Sequence, residues 1–284
     1  MNKIHVGFLV SYDYELLKKA IPFVYNHSDK IFLALDANFN TWKGEQFVIE
    51  DSFFDWLKSY DKHSKIIIYR DDFYIPGLSS MQCEVRERKL LSEKMGLENW
   101  CIQLDADEYF INFNEFTKYL LTQNKLLNSK KGIQIAVFLY NIYKKVDEGF
   151  LVVSKPTRVL VTTNKPEFKV GRKCKQQIIY KPFVVLHECL SRTEEELKQK
   201  LDNWGHDTQV NSGFMEKWKS VNASNYKQMQ DFFYIEPEKW KSLELIKAKN
   251  IEDLSETLNY EEILPSKSYI FGKNFGQWFK FLFK

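Results

Sequence analysis

Trp100-Cys101-Ile102-Gln103-Leu104-Asp105-Ala106-Asp107-Glu108-Tyr109-Phe110 is the stretch that decides how this chain is read. An apolar, strand-like run stops abruptly at three carboxylates within four residues. At the carboxyl end of a buried strand such groups are costly unless something cationic meets them. A divalent metal carrying a diphosphate suits that place: hard oxygen donors bind Mg²⁺ or Mn²⁺, and substrate phosphates complete the shell. Because strand side chains alternate, Asp105 and Asp107 are expected on one side of an extended chain. Glu108 then points the other way, as a helix cap or salt-bridge partner.

Upstream, strands and helices alternate. Residues 4–10 read as a buried strand, and residues 13–26 as a helix with Leu16, Leu17, Ala20, Ile21 and Val24 at helical spacing. A second strand over 30–35 ends at Asp36, a helix covers 51–60, and a third strand over 65–69 ends at Arg70-Asp71-Asp72. A charged amphipathic helix over 80–95, closed by Gly96, leads into the strand that carries Asp105. Such alternation predicts an α/β fold whose mostly parallel sheet is flanked by helices, with ligands beyond the carboxyl ends of the strands. Downstream, strands over 133–143, 157–163 and 177–186 follow without intervening helices, so the second half of the sheet is expected to be mixed. Thr193 and Glu196 form a capping box for a helix over 194–204. Residues 212–232 and 237–248 read as helical. The organisation expected is a main domain over 1–235 and a helical C-terminal extension over 236–284.

Bulk composition narrows the function classes. A chain of 284 residues that is 44% hydrophobic can bury a substantial core. A net charge of +3 carries no nucleic-acid signature. Cys83, Cys101, Cys174 and Cys189 show no CxxC spacing, which reads as free thiols in a reducing compartment. The apolar run after Met1-Asn2-Lys3 is too short for a signal peptide or a membrane span. A cytoplasmic protein is therefore expected, resting at most on the inner face of a membrane.

A second chemical element follows the run Pro182-Phe183-Val184-Val185-Leu186. His187-Glu188 at a strand end suits a metal ligand beside a general base, or a His satisfied by a backbone carbonyl next to a solvated Glu.

In order and content these pieces resemble GT-A-type, family-2-like bacterial glycosyltransferases of the lipopolysaccharide-core and surface-polysaccharide kind. The resemblance spans roughly residues 3–210. It is carried by Asp29–Asp36, by Arg86-Glu87-Arg88-Lys89-Leu90-Leu91, by Gln103–Glu108, and by His187-Glu188 through Lys198, Lys200, Leu201 and Trp204. It implies a GT-A-like nucleotide-binding sheet and a nucleotide-diphospho-sugar donor. The activity implied is metal-dependent, inverting transfer of a sugar to a hydroxyl of a glycan or lipid-linked acceptor. Asp36, Asp71 and Asp72 would line the nucleotide pocket. Arg86 or Arg88 would contact the nucleotide, and the motif favours Arg88. Asp105 would sit near the ribose and the metal, Asp107 and His187 would hold Mn²⁺ or Mg²⁺, and Glu188 would deprotonate the acceptor. Asp207 is the rival base and His206 the rival metal ligand. The family's usual glycine- and serine-rich stretch after the second strand is replaced here by Ala37-Asn38-Phe39-Asn40-Thr41-Trp42.

Two other classes fit part of the pattern. A sugar nucleotidyltransferase also pairs a nucleotide-binding sheet with acidic ligands, but usually shows a Gly-rich phosphate loop where this chain has Ser11-Tyr12-Asp13-Tyr14-Glu15. The other is a non-catalytic nucleotide- or glycan-binding protein on the same scaffold. Residues 272–284 interleave aromatics with lysines, a pattern that suits peripheral membrane contact or a helix docked through its rings.

Overall fold

The computed structural model describes residues 2–203 and 210–279. Four parallel strands form its first half: β1 (Ile4–Val10), β2 (Lys30–Asp36), β3 (Ile66–Asp71) and β4 (Trp100–Asp105). β1 lies between β2 and β4, and β3 pairs outside β2. Period-2 alternation sends Val6, Phe8, Leu33 and Leu104 to one face. There they meet α1 (Leu17–Tyr25), α2 (Asp51–Tyr60) and α4 (Phe113–Leu121). Leu9, Phe32, Ala34 and Cys101 face the opposite layer, where Leu91 and Met95 of α3 (Ser80–Met95) cover them. α3 starts at a reciprocal capping box of Ser79 with Gln82 and stops at Gly96, whose φ of +84° disfavours any side chain.

The second half is mixed. After the short β5 (Glu108–Phe110) and α5 (Asn124–Leu127) come β6 (Ile133–Val146), β7 (Gly149–Val153), β8 (Thr157–Thr163) and β9 (Gln177–His187). β8 joins the two halves by antiparallel pairing with both β4 and β6. β9 runs parallel to β6 and antiparallel to β5. A second core of Leu151, Leu190, Trp218, Phe232 and Trp240 anchors α6 (Glu194–Asn203) through Leu197 and Leu201.

The C-terminal region departs from the sequence expectation. Of 212–232 only α7 (Phe214–Ser220) is α-helical, and Leu243–Ile246 forms β10, antiparallel to β7. Leu243-Glu244-Leu245-Ile246 gains more from β7's free edge than from helical propensity, which tertiary pairing routinely overrides. β10 extends the sheet, and Ile251 and Leu254 of α8 (Ile251–Thr257) belong to the main core. Helical extension proper is confined to α8, α9 (Tyr260–Ile263) and α10 (Lys267–Phe279). No helix among the described residues is long and apolar enough to cross a membrane.

Close packing of α3 on the sheet depends on Gly7, where an added Cβ would lie 2.8 Å from Leu91 Cδ2. Gly7→Val should therefore lower unfolding free energy by about 1–3 kcal/mol through overpacking. Urea denaturation measures this, and an unchanged midpoint contradicts the packing described.

Candidate active site

The carboxyl ends of β1, β2 and β4 open into a cavity of about 290 Å³. Two buried charge clusters form its floor. Their acids come from the β4 terminus, but the chain turns at Ala106 and Asp107 instead of running straight. Asp105 and Asp107 therefore share the cavity yet meet different partners, where an extended chain would have set them side by side.

Asp105 belongs to the first cluster. Its Oδ1 accepts from Arg88 Nη2 at 2.9 Å and its Oδ2 from Arg172 Nη2 at 3.2 Å. Arg88 also donates from Nε to Glu84 at 2.9 Å, one turn earlier on α3. Arg172, in the loop before β9, grips both oxygens of Glu108, one of them at 2.8 Å. Burial opposes the charge of Asp105, but Arg88 and Arg172 outweigh it and hold the carboxyl down at about 2. Glu108 is thus a salt-bridge partner inside the cavity wall.

Asp107 anchors the second cluster. Its Oδ2 accepts from Arg192 Nη2 at 2.7 Å and from Lys200 Nζ, and its Oδ1 lies 3.6 Å from His187 Nε2. The β5–β9 ladder, with Glu108 opposite His187, brings that ring beside the acid. Asn141 Oδ1, 2.8 Å from His187 Nδ1, orients it. Arg192 is shared with Asp13 on the loop after β1, at 3.1 Å. Burial works against a charged His187, yet Cys189 and Asp107 beside it raise its pKa to about 10. Burial likewise opposes the Asp107 charge, but Lys200, His187 and Arg192 hold its carboxyl well below the usual range. The capping box of α6 is formed as expected from the sequence: Thr193 Oγ1 accepts from Glu196 N at 3.2 Å, and Glu196 Oε2 from Thr193 N at 2.9 Å. It seats Arg192 just ahead of the helix and Lys200 two turns along it.

The remaining residues singled out from sequence scatter. Asp36 lines the cavity, but both its oxygens are committed: Oδ1 to the backbone N–H of Asn38 and Asn40, Oδ2 to those of Phe73 and Tyr74. It ties together the loops after β2 and β3. Asp71 accepts from Tyr69 and Asp72 is exposed, and neither belongs to the cavity wall. Arg88 faces the cavity and Arg86 does not, since two residues on a helix lie on nearly opposite sides. Alternation along β9 sends His187 and Cys189 into the cavity and Glu188 to the other face. There Glu188 accepts from Lys19 Nζ at 2.8 Å and from the buried Tyr109 hydroxyl. Glu188 does not line the cavity. His206 and Asp207 lie outside the described residues. Arg172, Arg192 and Asp13 were not read as site residues, because a loop arginine and a residue beside a helix cap carry no periodic signal.

The donor set does not fit a divalent ion as arranged. Such an ion needs several free oxygen ligands. Both oxygens of Asp105 already face guanidinium groups, Asp107 Oδ2 faces Arg192 and Lys200, and Asp107 Oδ1 faces the His187 ring. Among the described residues no group of three His, Cys, Asp or Glu side chains is placed to hold a metal.

On the cavity wall, Glu87 Oε2 accepts from Trp42 Nε1 at 2.6 Å. Burial, only partly offset by Trp42 and Arg88, pushes the Glu87 carboxyl up to about 8. A folded-state value raised above the unfolded one means that stability is lost as pH climbs from the unfolded pKa through about 8. Glu87→Gln keeps an acceptor for Trp42 and removes that loss. The melting temperature of the variant relative to the parent should rise from pH 5 to pH 8, and a flat difference contradicts a neutral Glu87.

No family model matches the chain, and no curated protein matches it. Solved structures with partial likeness include mannose-6-phosphate isomerase from Helicobacter pylori, 11% identical over 48% of this chain and 50% of that one, with a TM-score of 0.33. A 4-diphosphocytidyl-2C-methyl-D-erythritol synthase is 11% identical over 58% of this chain and 76% of that one, with a TM-score of 0.32. A mannose-1-phosphate geranyltransferase from Thermus thermophilus is 10% identical over 85% of this chain and 72% of that one, with a TM-score of 0.26. This chain spans half the length of the first of these. TM-scores of this size carry no argument about activity.

Proposed function

We propose that this chain is an enzyme acting on nucleotide sugars, specifically a glycosyltransferase. It moves the sugar of a nucleotide-diphospho-sugar onto a hydroxyl of a glycan or lipid-linked acceptor. The observation that carries this reading is the convergence of Asp105, Asp107, Arg88, Arg172 and Lys200 on one cavity at the carboxyl edge of a parallel sheet, with Arg192 behind Asp107. That edge is where open α/β sheets bind ligands, and buried cations there suit the charge of a diphosphate. Trp42, pinned by Glu87, gives the wall an aromatic face for a nucleobase.

In the proposed reaction an acceptor oxygen bonds to the anomeric carbon while the bond from that carbon to the β-phosphate oxygen breaks. The electron pair leaves with the nucleoside diphosphate. The acceptor's proton passes to a carboxylate, a transfer worth roughly 10²–10⁴-fold in rate. Glu188 faces α1, so we assign this role to Asp13, a cavity-lining carboxylate held by Arg192. Attack opposite the leaving group inverts the anomeric centre.

Nucleotidyl transfer is the second reading, because the same cationic floor would serve a sugar phosphate attacking a nucleoside triphosphate. The loop after β1 holds Ser11, Tyr12 and Asp13 on the cavity wall, where that chemistry usually places a glycine-rich phosphate cradle.

Incubating the chain with a panel of nucleotide sugars should release a nucleoside diphosphate from one of them. Release of pyrophosphate from a nucleoside triphosphate and a sugar phosphate would replace the first reading with the second. Trp42→Ala should weaken nucleotide binding about tenfold or more, at the low end of what base stacking contributes. Asp13→Asn should bind nucleotide but lose transfer, whereas Glu188→Gln should retain transfer per folded molecule. The reverse outcome for those two variants returns the base role to Glu188.

A further inference from the structure

Lys200 and Arg192, we propose, take the place of a divalent cation: Lys200 holds the diphosphate of the nucleotide directly, Arg192 fixes Asp107 behind it, and nucleotide binding needs no metal. This rests on the nucleotide-sugar reading above. Two permanently cationic groups, Arg192 and Lys200, already surround Asp107, and the other acid on this cluster among the described residues is Asp13. A further divalent charge there would be repelled by both, while a diphosphate would be attracted by them. Lys200 is 16% and Arg192 4% exposed at the side chain, so both are largely dehydrated before any ligand arrives. Their backbones are fixed by the α6 cap and by burial of Leu197 and Leu201. Each arginine cluster also keeps a donor in reserve. Arg192 Nε and Arg88 Nη1 are buried with no hydrogen-bond partner among the described residues, although the side chains are only 4% and 3% exposed. An unpaired buried donor calls for an explanation, and a bound ligand or ion that supplies the acceptor is one.

The test is calorimetric titration of the full chain with UDP, GDP, CDP, dTDP and inorganic pyrophosphate, once in EDTA and once in MnCl₂. At least one nucleoside diphosphate should bind in EDTA with an affinity within about threefold of that in Mn²⁺. Lys200→Met should weaken metal-free binding about tenfold, one contact of about 1.4 kcal/mol, and Lys200→Arg should restore part of it. Binding that needs Mn²⁺, or a Lys200→Met affinity unchanged in EDTA, overturns the proposal while leaving the nucleotide reading standing. Failure of every nucleotide in both buffers overturns the two together.

A separate surface supports a second inference, that α10 lies on an anionic membrane surface. The helix docks by its amides rather than its rings. Asn274 Oδ1 accepts from Tyr180 N at 2.8 Å, Asn274 Nδ2 donates to Tyr180 O at 3.1 Å, and Gln277 Oε1 accepts from Ile178 N at 3.2 Å. These bonds cover an edge of β9 and turn the aromatic face outward. Phe271 is 66% and Trp278 64% exposed, and both rings pack on Phe275. From residue 263 onward the sequence holds Lys267, Lys273, Lys280 and Lys284 and no acidic residue. Lysines beside exposed rings fit the headgroup region of an anionic bilayer. The full chain should sediment with phosphatidylglycerol-containing vesicles and not with pure phosphatidylcholine. Phe271→Ser with Trp278→Ser should abolish that sedimentation while leaving nucleotide binding intact. No sedimentation of the parent chain, or equal sedimentation of the double variant, contradicts the inference. A dimer that the double substitution dissociates, without vesicle binding, assigns the face to a second copy instead.

Discussion

A buried Asp107 and a half-buried Asp105, two residues apart, can share one strand end only if each meets its own cations. That electrostatic requirement organises this molecule. Arg88 comes from α3, Arg172 from the loop before β9, and Arg192 and Lys200 from the α6 region, up to 93 residues away in sequence. The pairs made by Arg172, Arg192 and Lys200 join the parallel half of the sheet to a later element. Such pairs are a weak source of net stability, since desolvation offsets most of the attraction, but loss of one partner strands a buried charge. The clusters therefore act as a registration device between the two halves, and the cavity is what remains between them.

Elements with strong local signals were legible from sequence. The parallel strands follow from their apolar runs, and α3 from its amphipathic span between Ser79 and Gly96. α6 follows from its capping box. Weak local signals failed where tertiary contacts decided the outcome. Leu243–Ile246 became a strand because β7 offered an edge, and 212–232 lacked the continuous apolar face a long helix needs.

The site was legible at its acids and obscure at its cations. A strand ending in Asp105 and Asp107 is conspicuous, whereas Arg172 in a loop and Arg192 beside a cap look like any exposed arginine until the chain folds. Orientation was the harder problem. His187 and Glu188 are adjacent, and only the pairing of β9 with β5 and β6 determines that the imidazole enters the cavity while the carboxylate turns to Lys19 and Tyr109. Asp36 lies on the cavity wall, where four backbone N–H groups occupy its oxygens and tie together the surrounding loops.

An arrangement in which cationic side chains already cover the acids suggests how a protein can keep the position of a metal-binding motif while changing what neutralises the ligand. The most direct measurement is a crystal structure of the chain grown in EDTA with the nucleoside diphosphate it binds. The account predicts the terminal phosphate within hydrogen-bond distance of Lys200 Nζ, with Arg192 still paired to Asp107. A diphosphate seated elsewhere, or Lys200 swung away from Asp107 to admit a metal ion, would contradict it.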